Sequence, residues 1–157
     1  MEGAAVLDGQ HSIEIAQAGL GDVNALRKLE QVSFGSDAWP IWDLVGILIL
    51  PGTVHLKALV DGEMAGFIGG DLRPHENVGW VATLAVLPAY RRKGVATALL
   101  RACEANIHLG AVRLSVRRSN DAAAALYHRE GYRLVDIWAN YYHDGEDAMV
   151  MEKKLRF

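Results

Sequence analysis

The sequence predicts an α/β protein in which a central, mostly antiparallel mixed sheet carries helices on both faces. Three observations predict it. Apolar residues alternate with period two through residues 54–60, 64–70, 78–86 and 112–116, and a final strand pair spans 132–139 and 147–155. Apolar residues recur at helical spacing over 23–33, 41–49 and 94–108, and a fourth helix runs to Glu130. The resulting order, βαα-βββ-αβ-αββ, buries its apolar faces only if helices cross both sides of one sheet.

In chain order, residues 1–11 read as a loose leader and 12–157 as a single domain, long enough for a real core. Ile13 to Ala16 alternates as a short strand. Asp22 is placed to N-cap the first helix, with Val23, Leu26, Leu29 and Val32 on one face. A loop ending at Trp39-Pro40 leads to a second helix, which stops before Pro51. Asp61-Gly62 is a hairpin turn signal, and the return strand is weakened by Gly66, Gly69 and Gly70. The third helix buries Leu99, Leu100, Cys103 and Ile107 and stops at Gly110. Ser119 or Asn120 caps the fourth, which stops at Gly131.

Composition narrows the function. With 51% hydrophobic and 22% charged residues the chain is globular. A net charge of −3 gives no global footprint for nucleic acid. A single cysteine, Cys103, permits no internal disulfide and fits a reducing, cytoplasmic compartment. The longest apolar run, Val45 to Leu50, is too short to span a bilayer, so no membrane is expected. The six histidines show no metal-ligand spacing among themselves or with Cys103, so no metal is expected. No Gly-x-Ser-x-Gly turn or Walker loop is present.

Against this background the run from Leu84 to Thr97 stands out. An apolar strand ending in Leu84, Ala85 and Val86 feeds a turn with three consecutive cations, Arg91, Arg92 and Lys93, and a helix opens at Gly94. Backbone N–H groups at a helix start lack intrahelical partners and carry the positive end of the dipole, so they attract an anion. Gly94 lets the backbone approach closely, Val95, Ala96 and Thr97 supply amides, and Ala96 keeps the position small. Further on, Asn120 and Tyr127 lie seven residues apart on one helix, almost two turns, with four alanines between them. A ligand arm could lie in that shallow groove. The same pattern also suits a plain alanine-rich helix with Asn120 as its cap, and the residues alone leave both readings open.

The spacing Arg91-x-x-Gly94-x-Ala96 resembles the pyrophosphate motif of the GNAT acetyltransferases, and the element order is that of their fold. Leu114 to Asn120, Ala125-Leu126-Tyr127 and Glu130-Gly131-Tyr132 are similar to the second half of those enzymes. The tail Tyr141-Tyr142-His143-Asp144-Gly145-Glu146-Asp147-Ala148 is similar to the ribosomal-protein-alanine and N-terminal acetyltransferase branch. The resemblance implies that acetyl-coenzyme A is the co-substrate and an amine the acceptor. Leu84 to Val86 would face its thioester and pantetheine, with the strand splayed from its parallel neighbour. The amides from Arg92 to Thr97 would hold its pyrophosphate. Asn120 would contact pantetheine, and Tyr127 would protonate the departing thiolate. Trp39, Trp42, Tyr141 and Tyr142 would line the acceptor site or else fill core gaps. Homodimers, common in the family, are compatible with this reading.

One departure bears on the acceptor. The ribosomal-protein enzymes carry a glutamate base at the position of Ser115, and some relatives use a histidine there with a tyrosine at Trp80. Neither Ser115 nor Trp80 is a base at neutral pH; serine could only relay a proton through water. Glu76 and His75 are candidate replacements, or ordinary solvated loop residues. Deprotonating an α-amine of pKa about 8 at pH 7 costs about 1.4 kcal/mol, against about 4.6 kcal/mol for a lysine. The expectation is therefore transfer to a peptide or protein N-terminus, with a small-molecule amine or a non-catalytic acyl-coenzyme A-binding module as alternatives.

Overall fold

The computed structural model describes residues 5–8 and 11–156. Its strands are β1 (Ala5–Asp8), β2 (His11–Gln17), β3 (Thr53–Val60), β4 (Glu63–Arg73), β5 (Val78–Val86), β6 (Ala111–Arg117), β7 (Arg133–Trp138) and β8 (Ala148–Lys154). Its helices are α1 (Val23–Phe34), α2 (Ile41–Ile49), α3 (Val95–Ala105) and α4 (Asp121–Arg129). The strands form one eight-stranded sheet in the order β1-β2-β3-β4-β5-β6-β8-β7. Every described pairing is antiparallel except β5 with β6. The expected mixed sheet is therefore present, with one difference at its start. Residues 5–8, read as part of a loose leader, pair with β2 from Ala5↔Glu14 to Asp8↔His11. The rest of that leader, residues 1–4 and 9–10, lies outside the described residues.

Two apolar clusters occupy the two faces. One joins β2–β6 to α3 and α4 through Leu56, Val81, Leu99, Leu100, Leu114 and Tyr127. The other joins α1 and α2 to the sheet through Leu26, Leu29, Leu44, Ile47, Phe67 and Ala85. The glycines that weaken β4 as a strand are what let the helices come close. A Cβ at Gly66 would stand 2.8 Å from the Ala85 carbonyl oxygen and 3.1 Å from Leu99 on α3. A Cβ at Gly69 would stand 2.7 Å from Ile47 on α2.

Two local readings of α1 change. A short 3₁₀ turn, Leu20–Asp22, precedes the helix, so the Asp22 side chain makes no cap bond to α1. It accepts instead from the Gly19 N–H and from Lys57 Nζ at 3.0 Å. Val32, expected on the buried face, is exposed, and Glu30 is buried in its stead. The apolar stripe follows Leu26 and Leu29, and residue 30 stands four positions after Leu26 on that same face.

The feature that positions the site is the divergence of β5 and β6. Their parallel register runs from Val78↔Ala111 to Val81↔Leu114 and ends there. Beyond it β5 continues to Val86 alongside β4, and β6 continues to Arg117 alongside β8. A bulge at Ala82, between the pairs Gly70↔Val81 and Gly69↔Thr83, sits at the point of parting.

Substituting Gly66 by alanine should lower unfolding stability by about 1–3 kcal/mol, because a strand carbonyl and a helix face must both shift. Chemical denaturation of the variant checks this; a midpoint equal to wild type would contradict the close approach.

Candidate active site

The cleft starts where β5 and β6 separate. The Leu87 N–H donates to the Ala65 carbonyl on β4, so alternation turns the backbone groups of Leu84 and Val86 away from β4 and into the cleft. A cavity of about 740 Å³ opens there. Thr83 and Leu84 of β5 and residues 114–117 of β6 form its floor. Its walls are residues 36–40 before α2, Asn120, Ala123 and Tyr127 of α4, and residues 141–143 of the β7–β8 loop.

Beyond the end of β5, residues 91–97 form the expected turn into α3, outside the cavity lining. Gly94 takes the left-handed conformation at φ 81° as the N-cap of α3, and Arg92 does so at φ 61°. Intrahelical bonding begins with Ala98 N–H to Gly94 C=O, so helix geometry gives the amides of Val95, Ala96 and Thr97 no partner within α3. The three cations differ in placement. Arg91 Nε donates to the Val86 carbonyl at 3.2 Å and ties the turn to the strand end. Lys93 Nζ lies 5.9 Å from the Tyr90 ring.

On α4 both readings of the alanine-rich helix hold together. Asn120 Oδ1 accepts from the Ala123 N–H at 3.2 Å as an N-cap, and Asn120, Ala123 and Tyr127 share the face that lines the cavity. Tyr127 is almost fully buried. Burial, reinforced by the nearby Tyr142, pushes its phenol up to about 12, so it keeps its proton at neutral pH.

The loops that wall the cavity are organised by Arg117. Its guanidinium bonds Asp37 of the α1–α2 loop at 2.6 Å and Asp144 and Glu146 of the β7–β8 loop at 2.9 and 2.8 Å. It also lies 4.1 Å from the Tyr142 ring centroid. One cation thus clasps both loops that wall the cavity. Tyr142 and Ser115 both line the cavity. From Tyr142 an aromatic series continues through Tyr141 (5.0 Å) and Trp138 (5.2 Å) to Trp80 (5.7 Å), with Arg73 over the Trp80 ring at 5.2 Å.

Trp39, Ser115, Tyr141 and Tyr142 line the cavity. Trp80, Glu76 and His75 do not. Glu76 and His75 sit on a 3₁₀ turn before β5, at the far end of that strand from the parting, and Glu76 pairs with Arg73 at 3.6 Å. Trp42 points outward on α2 at 79% exposed. Sequence reasoning missed Arg117, Asp37, Thr83 and Glu30. Glu30 is 3% exposed. Its Oε1 accepts from Thr83 Oγ1 at 2.5 Å, and its Oε2 from the Trp39 N–H at 3.4 Å. Burial holds its carboxyl above the usual range despite those bonds. The signal for Glu30 was available: a helical projection sets it inside the stripe of Leu26 and Leu29.

The acetyltransferase (GNAT) family model matches residues 24–132. This chain belongs to the GNAT acetyltransferase family. It is 32% identical over 149 residues to the N-terminal acetyltransferase A complex catalytic subunit NAA10 of Arabidopsis thaliana, covering 90% of this chain and 78% of that protein. It is 34% identical over 138 residues to N-alpha-acetyltransferase RimI of Mycobacterium tuberculosis, covering 84% and 86%. The ribosomal-protein-S18-alanine N-acetyltransferase of Escherichia coli superposes with a TM-score of 0.83 at 26% identity, over 92% of this chain and 95% of that one. The chain is thus an acetyl-coenzyme A-dependent N-acetyltransferase of the GNAT family. Among the described residues no helix is long and apolar enough to cross a membrane.

Arg117→Met keeps the stem and removes the fork, leaving three carboxylates without their shared cation. Unfolding stability should drop by about 1–3 kcal/mol. The acceptor KM should rise about tenfold while acetyl-coenzyme A affinity stays within about twofold, readable by steady-state kinetics and calorimetry. Glu30 gives a pH-dependent expectation. Because burial raises its pKa, the folded chain holds this proton where the unfolded chain has released it. That stabilisation is complete below the unfolded value of 4.5 and is lost as pH rises through the folded value. Glu30→Gln should therefore melt above wild type at pH 7 and lose that lead as pH falls toward 4.5, measured by calorimetry across pH.

Proposed function

We propose that this GNAT enzyme acetylates the α-amine of a peptide or protein N-terminus in one ternary complex with acetyl-coenzyme A. The observation that carries this reading is the single cleft at the β5–β6 parting. Leu84, Tyr127, Trp39, Tyr141 and Tyr142 all line it. Similarity to relatives named for N-terminal and N-alpha acetylation supports the choice of acceptor.

The residues fit acetyl-coenzyme A in three places. The left-handed Gly94 opens a row of amides that would receive the pyrophosphate. Arg92 and Lys93 add positive potential at that turn, and Arg91 supports it by anchoring the turn to Val86. Asn120 and Ala123 form the groove wall for the pantetheine arm. The acyl thioester supplies the electrophilic carbonyl, and a backbone N–H at Leu84 or Val86 would stabilise the oxygen as it gains charge.

Tyr127 donates to the departing sulfur. With the phenol near 12 and a thiol near 8.5, full proton transfer alone is uphill by roughly 5 kcal/mol. The phenol therefore acts first as a hydrogen-bond donor. Transfer completes as the amine nitrogen releases its second proton. Ser115 lacks the basicity to deprotonate an ammonium. This favours an α-amine over a lysine. A cytoplasmic setting suits Cys103, the one cysteine, whose thiol burial pushes up to about 12.

Coenzyme A release against a panel of peptides and small amines tests the reading. Peptide-dependent release is expected; release only with small amines, or tight cofactor binding without release, would overturn it. Tyr127→Phe should lower turnover by roughly one to three orders of magnitude with little change in cofactor affinity. Gly94→Val should mainly weaken cofactor binding, because a side chain at φ 81° strains the turn and crowds the amides.

A further inference from the structure

Acetyl transfer to an α-amine must dispose of an ammonium proton, and the residues considered so far give it no acceptor. Ser115 is a hydroxyl without the basicity to keep the proton. Asp37 is engaged by Arg117. Glu76 and His75 lie outside the cavity. A carboxylate does stand behind the cavity floor, however. Glu30 on α1 is 3% exposed and bonded by Thr83, and Thr83 itself lines the cavity.

We propose that Thr83 and Glu30 form the proton exit for the acceptor amine, Thr83 touching the ammonium and Glu30 acting through it. This rests on the acetyl-transfer reading above. Three features of the geometry carry it. First, among the described residues Glu30 has no cation to justify its burial. The groups that act on it are the Thr83 hydroxyl and the Trp39 N–H. Arg27 and Lys28, its neighbours on α1, are exposed. Asp22 in the preceding turn is paired with Lys57. Asp37 in the following loop is held by Arg117, and Asp43 is the acidic residue of α2. β5 contributes no titratable side chain, and β4 presents Phe67 and Met64 to this cluster. A buried carboxyl without a cation costs stability that an apolar residue would not.

Second, the polarity of the pair is correct. The Thr83 hydroxyl gives its one proton to Glu30 Oε1, so its lone pairs are available to accept from the cavity side. Third, the Ala82 bulge sets Thr83 at the head of the β5–β6 parting, one residue before Leu84, whose backbone faces the cleft. The raised affinity of Glu30 for a proton is what burial produces, and it suits the task.

The proton balance is closed. The ammonium gives one proton to Thr83 Oγ1 as the Thr83 proton passes to Glu30 Oε1, leaving a neutral amine and a neutral Glu30. The amine lone pair forms the N–C bond to the acetyl carbonyl, and the C–S bond then breaks with its electron pair on sulfur. The nitrogen's second proton makes good the one Tyr127 donates to sulfur. Glu30 returns its proton through Thr83 to solvent after the product leaves. The net yield is an N-acetyl amide, a thiol and one released proton.

The test is the pH profile of kcat for the full chain, with saturating acetyl-coenzyme A and a peptide bearing a free α-amine. Glu30→Gln should move the acid limb up toward the amine's own pKa of about 8. Turnover at pH 7 should fall about ten- to hundredfold and converge to within about threefold of wild type near pH 9. Thr83→Val should behave alike, and Thr83→Ser, which restores the hydroxyl, should recover the acid limb that valine loses. Infrared difference spectra of wild type minus Glu30→Gln should show a carboxyl titrating above the ordinary glutamate range, a readout independent of turnover.

An acid limb that stays in place, or a loss equal at every pH, would make Glu30 structural and overturn the relay. Thr83→Val indistinguishable from wild type would do the same. Failure of the N-terminal reading looks different: wild type would release coenzyme A only with small amines, and the same profiles run with that amine would still decide the relay. A wild-type chain that turned over with no amine at all would overturn both.

Discussion

Parallel pairing between β5 and β6 lasts four residues and then stops, and the cleft of the molecule depends on that break. Inside a sheet every backbone N–H and C=O has a neighbouring strand to bond. Once the strands part, the groups of Leu84 and Val86 face a cleft instead of a strand. A wedge of unpaired, oriented dipoles in the middle of an eight-stranded sheet is a site that water or a ligand must fill. Arg91 takes up one of those groups, the Val86 carbonyl, and so fixes the turn that leads to the α3 amides.

The break persists because both halves of the sheet are held independently. β5 stays paired with β4 along its length, and β6 with β8. The bulge at Ala82 absorbs the change of direction. Gly66 and Gly69 admit α3 and α2 close against opposite faces of the sheet. The loops above the gap are joined by Arg117, which is only partly exposed and meets three carboxylates and a tyrosine ring. Ion pairs at a surface contribute little singly, but a forked cation engaging several acceptors from two loops fixes their relative position.

Two buried groups set the protonation pattern of the cavity. Desolvation holds the Tyr127 phenol up, so it stays protonated at neutral pH. Desolvation also holds the Glu30 carboxyl up, so it takes a proton more readily than a solvated glutamate. The same cause acts on both, from starting pKa values that differ.

The sequence by itself determined the local structure, because helix and strand periods, Asp61-Gly62 and the Gly94 turn are written in short stretches of chain. It also carried the face shared by Asn120 and Tyr127, since seven residues on a helix return to one side whatever surrounds them. Only the tertiary structure decided which side chains meet. Glu30 and Thr83 are fifty-three residues apart and Arg117 and Asp37 eighty, separations over which no pattern of period two or 3.6 speaks. It decided too that Glu76 lies outside the cavity lining and that a bulge presents Thr83 to α1, because a bulge depends on how two strands register and not on either alone.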